Sequence, residues 1–116
     1  MLGVGTAVSA IFSEEEVIFE GELKRYSALG SSGNQLHYDF CGNCGNNIAT
    51  YPLLIAGILY MHIGSFDNPL AFTPKVEIWN KTKPEWFKSE GCIVESIEDN
   101  GSLERIQMLM ENMDQR

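Results

Sequence analysis

Three cysteines in 116 residues are too few for a disulfide scaffold, and an odd number cannot close into pairs within one chain. Cysteine usage of this kind points to metal or redox chemistry in a reducing compartment, so a cytoplasmic location is expected. Cations are scarce as well: eight Lys and Arg against sixteen Asp and Glu leave a formal net charge of -8. Phosphate backbones are held by clustered Lys and Arg, and the scattered few here argue against nucleic acid as a partner. Long hydrophobic runs are missing too. The longest, residues 53–63, is too short to cross a bilayer and contains His62, so no membrane partner is expected. The first ten residues lack both a basic start and a continuous apolar stretch, and do not read as a signal peptide.

What remains is ordinary globular composition, 44% apolar and 21% charged, in a chain long enough to bury a core as one domain over residues 1–116. The pattern is mainly β, with short strands broken by turn residues. Strands are expected at 6–12, at 17–20 and 22–26 as a hairpin around Gly21, and at 35–40. Further strands are expected at 47–51, 57–63 and 75–80. Residues 35–40 place Leu36, Tyr38 and Phe40 on one face and Gln35, His37 and Asp39 on the other. Residues 89–101 are polar enough to be a connector. Only the C-terminus is helical in pattern: Ser102 is a plausible N-cap, and Leu103, Ile106, Leu109, Met110 and Met113 recur at intervals of three and four. That spacing predicts an amphipathic helix over about 102–113.

The passage from Asp39 to Asn46 carries the chemistry. Cys41 and Cys44 form a Cys-x2-Cys pair bracketed by Gly42 and Gly45, the shape of a zinc knuckle, in which a tight turn aims two thiolates at one point. Zinc requires four ligands, so the pair is half of a site. Two free thiols in a tight β-turn are the alternative. A redox dithiol is a third reading, set back because Gly45-Asn46-Asn47 is not a helix start that would lower a thiol pKa.

Other motifs stand in register with the knuckle. Ser32-Gly33-Asn34, Phe40-Cys41-x-x-Cys44-Gly45, Gly64-Ser65-Phe66-Asp67-Asn68-Pro69, Phe72-x-Pro74-x-x-Glu77-Ile78-Trp79 and Trp86 follow one another in an order that resembles the glutathione-dependent formaldehyde-activating (GFA) family, which includes centromere-protein-V-like proteins. The resemblance covers about residues 3–88. It implies an Mss4-like fold, a complex of small antiparallel sheets here followed by a C-terminal helix. It also implies carbon–sulfur lyase activity on a glutathione adduct, and two zinc sites. Cys41 and Cys44 correspond to the second pair of the structural site. The resemblance places the remaining ligands, including all those of the catalytic zinc, in cysteine clusters that would precede the segment like residues 3–22. The sequence is therefore expected to be an N-terminally truncated member with an incomplete structural zinc half-site at Cys41 and Cys44 and no catalytic residue of its own.

Lesser candidates have plainer readings. His37 and Asp39 share a strand face with Cys41 and could approach the knuckle, but a solvated polar face explains them. Cys92 could join as a third thiolate; next to Ile93 and Val94 it reads as a small apolar residue. Tyr60, Phe72, Trp79 and Trp86 could line a pocket, though core packing explains most of them. Asp67 and Asn68 read as a turn, and Glu14, Glu15 and Glu16 as a solvated one. The expected function is an inactive binding or dimerisation domain, a homodimer through a sheet edge left unpaired. The alternatives are a zinc-dependent lyase acting on S-hydroxymethylglutathione or a related thiol adduct, if further N-terminal residues exist, and a small metal-binding or redox module.

Overall fold

The computed structural model describes residues 5–31, 33–89, 91–99 and 102–111. Short apolar or alternating runs bounded by turn residues form five strands in the first part of the chain: β1 (Ser9–Ser13), β2 (Leu23–Leu29), β3 (Gln35–Cys41), β4 (Asn47–Pro52) and β5 (Ile58–His62). They form one antiparallel sheet in the order β1-β5-β4-β3-β2. The fold is mainly β, and among the described residues no helix is long and apolar enough to cross a membrane.

One cross-strand row explains the two faces. Arg25, Asp39, Ala49, Met61 and Ala10 lie opposite one another in turn, and the next row is Tyr26, Tyr38, Thr50, Tyr60 and Ile11. Because successive residues point to opposite faces, the first row belongs to the core side and the second to the other. Ala49, Tyr51 and Leu59 form the core cluster, joined by Phe12, Val17, Ile48 and Met61. Leu59 is 1% exposed, and burying such a side chain contributes about 1.5–3 kcal/mol. A register shift between Asp39 and Phe40 sets Ile48 outside the ladder.

The chain divides into two compact units, Met1–Pro69 and Leu70–Arg116. In the second, β6 (Val76–Glu77) and β7 (Glu95–Ser96) pair in parallel, and α1 (Leu103–Glu111) follows. The Ser102 hydroxyl accepts the Arg105 N–H at 3.2 Å, an N-cap, and Arg105 pairs with Glu95 of β7. Residues 112–113 of the expected helix lie outside the described residues.

Several strands differ from expectation. Residues 17–20 form no strand: the stretch pairs with neither β1 nor β2, which are joined to β5 and β3 alone. Val17 packs on the core while Ile18 is 86% exposed. Residues 75–80 are strand only at Val76–Glu77, since Trp79 turns the chain with φ 60°, a left-handed conformation that bulky side chains rarely adopt. β7 lies inside the expected connector, its pairing continued by Val94 N–H to Lys75 O at 2.8 Å and Ile97 N–H to Glu77 O at 2.9 Å.

Candidate metal half-site

β3 ends at Cys41, and the chain must reverse within five residues to begin β4 at Asn47. The reversal is closed by backbone bonds from Gly45 N–H to Cys41 O and from Cys41 N–H to Asn46 O, both 2.9 Å. Gly45 has φ 76°, which a side chain would strain, and the Cys44 thiol lies within hydrogen-bond reach of Cys41. The Asn43 N–H donates to Cys41 Sγ at 3.4 Å. Together the Cys44 and Asn43 backbone N–H groups, with help from the Cys44 thiol, hold the Cys41 pKa below its ordinary value. Cys44 is exposed and Cys41 half-buried. The turn thus presents two sulfurs on one side, one of them poised toward thiolate by peptide dipoles.

Such a turn fits two of the four positions that zinc needs. Among the described residues no group of three or more His, Cys, Asp or Glu gathers around a common point. His37 shares a hydrogen bond with Ser27 Oγ through Nδ1 at 2.7 Å, so its ring is held toward β2. Asp39 is engaged in full by Arg25, with Nε to Oδ1 at 2.6 Å and Nη2 to Oδ2 at 2.9 Å. At 6% exposure Asp39 is a buried ion-pair partner, not part of a solvated strand face, because its row lies on the core side.

Beside the knuckle an open cleft of about 470 Å³ runs between Phe19, Glu22, Leu23, Cys41, Asn43 and Ile48. Its walls are apolar at Phe19, Leu23 and Ile48 and acidic at Glu22. A family model described as Glutathione-dependent formaldehyde-activating enzyme matches residues 1–82. The chain belongs to this family. No curated protein matches it.

In this GFA-family chain the other sequence candidates lie on separate elements. Tyr60 is on β5, where burial raises its hydroxyl pKa. Asp67 and Asn68 stand in the bend ahead of a 3-10 turn at Pro69–Ala71, and Glu14–Glu16 form an exposed 3-10 turn. Phe72, Trp79, Trp86 and Cys92 belong to the second unit, where Trp86 is 77% exposed and packs edge-on against Phe87.

Three polar clusters escaped the sequence reading. The first is Arg25–Asp39, with the guanidinium 4.8 Å above the Tyr51 ring. The turn at residues 30–34 offered a signal for it, since a hairpin folded there sets Arg25 opposite Asp39. The second is His62, which bridges Ser9 Oγ at Nδ1 (3.2 Å) and Thr50 Oγ1 at Nε2 (3.3 Å); burial lowers its pKa. The third is Glu77, which accepts from Ser89, Lys83 and Ser96. Those donors lower its pKa to about 2. His62 needs partners on two other strands and Glu77 needs partners on a loop and on β7, and no local pattern announces either.

Proposed function

We propose that this GFA-family chain is a scaffold in which Cys41 and Cys44 form half of a structural zinc site, and that it works as a binding and self-associating domain, not as a lyase by itself. The knuckle turn carries this reading: its backbone bonds, the positive φ of Gly45 and the N–H donors on Cys41 Sγ are what two zinc thiolates require. Zinc bound there would cross-link the ends of β3 and β4 and stabilise the sheet. Its two further ligands come from outside the turn. The resemblance implies two zinc sites, and three cysteines are too few for both.

We extend the proposal to an Mss4-like scaffold, to a cytoplasmic home in which the free thiols stay reduced, and to a homodimer as the working form. A second reading, a zinc-dependent lyase forming or cleaving S-hydroxymethylglutathione, is favoured by the family match over residues 1–82. Rates decide between them. Formaldehyde and glutathione mixed with the zinc-loaded chain should form the adduct no faster than in buffer, measured by NMR exchange. An acceleration proportional to protein concentration would establish the second reading in place of the first.

A further inference from the structure

The sheet has two edges, and one of them fits itself. In the β2–β3 ladder, Gly30 N–H donates to Asn34 O at 2.8 Å and Gly42 N–H to Glu22 O at 3.3 Å. Antiparallel hydrogen-bonded pairs recur every second residue. The even-numbered residues of β2 therefore turn their backbone groups toward β3, and Leu23, Arg25, Ser27 and Leu29 turn theirs outward. From Lys24 to Ser27 the strand is exposed, and Leu29 is 74% exposed. On the opposite edge, β1, Ile11 already has an interaction of its own.

We infer that β2 pairs with β2 of a second copy, antiparallel about a twofold axis at Tyr26, so that two five-stranded sheets become one of ten. This deepens the self-association reading above and rests on it. In that register Arg25 faces Ser27 of the other copy and Leu23 faces Leu29, and every outward N–H meets an outward carbonyl. No like charges stand opposite: Lys24 meets Ala28, and Arg25 is held by Asp39. The two Tyr26 rings meet across the axis at a non-hydrogen-bonded position, where side chains approach closely. Each already stacks on Tyr38, at 6.5 Å between centroids and 28° between planes. The pairing thus joins two aromatic rows into one, and Leu23 covers the exposed Leu29.

The same register separates the knuckles. Leu23 is opposite Cys41, and the two copies of Leu23 lie six residues apart along the paired strands, roughly 20 Å. Two knuckles at that spacing cannot share one zinc, so dimerisation and metal binding are independent.

Sedimentation velocity tests the pairing. The wild-type chain should dimerise reversibly, and more tightly as salt screens the net charge of -8 on each copy. Tyr26→Lys and Tyr26→Glu, each at an exposed site, should alone weaken the dimer by about tenfold or more. Mixed together they should restore it as a heterodimer, which also shows that both variants fold. A dimer untouched by Tyr26→Lys, or a mixture that does not pair, overturns the β2 edge while leaving self-association in place. A wild-type chain that stays monomeric at its solubility limit overturns both.

Discussion

Arg25 holds Asp39 by two parallel hydrogen bonds, 2.6 and 2.9 Å, on a sheet row where the carboxylate is buried. The pair ties β2 to β3 just before the knuckle, and the guanidinium covers Tyr51 of the core. Its asymmetry matters: the Arg25 side chain is 48% exposed and that of Asp39 only 8%.

Removing the arginine leaves the buried carboxylate alone. Arg25→Ala should destabilise the chain by about 2 kcal/mol, below the 3–5 typical of a fully buried pair because water reaches half of the guanidinium. Replacing both partners, Arg25→Met with Asp39→Leu, should recover most of the loss. Urea midpoints for the single and double variants measure the coupling, and a double variant weaker than Arg25→Ala would contradict it.

Acid should loosen the two units through different groups. Glu77 has its folded pKa lowered to about 2 by Ser89, Lys83 and Ser96, from an ordinary value of 4.5. A lowered carboxylate pKa contributes stability that is present above the ordinary value and lost as pH falls from about 4.5 toward 2. Both tryptophans, Trp79 and Trp86, lie in the second unit, so tryptophan fluorescence follows this loss, and Glu77→Gln should flatten it. His62, whose pKa burial lowers from 6.5, favours its neutral form in the fold, so stability of the first unit falls as pH drops below 6.5. Amide signals of Thr50 and His62 should shift first in that window.

Gly45 should tolerate no side chain cheaply. A Cβ there meets no atom within 4 Å, so the cost of Gly45→Ala is backbone strain alone. It should be about 1 kcal/mol, read from thermal unfolding, with weaker metal binding as its companion. Gly64→Ala, in open space without a positive φ, is the control and should be near neutral.

Strand existence was legible at residues 35–41, where period two is strong, and at 47–52 and 58–62, where short runs are bounded by turn residues. Where strands ended was less so. Residues 17–20 are as β-prone as β2 but have no partner strand, and pairing is a tertiary fact. The knuckle was legible because its chemistry is local: Cys41, Cys44 and Gly45 lie within one turn. From β3 alone Asp39 belongs to a polar face shared with Gln35 and His37. Ala49, Met61 and Ala10, its row neighbours, lie on three other strands, and they make that face the buried one.

Cobalt(II) titration of the reduced chain asks whether Cys41 and Cys44 bind metal, because thiolate ligation gives a charge-transfer band that no oxygen or nitrogen donor produces. A zinc half-site at Cys41 and Cys44 gives a sulfur-to-cobalt band displaced by zinc, abolished by Cys41→Ser and by Cys44→Ser, and kept in Cys92→Ser. A chain that gives no such band, or one whose band depends on Cys92 and survives loss of Cys41, would contradict it.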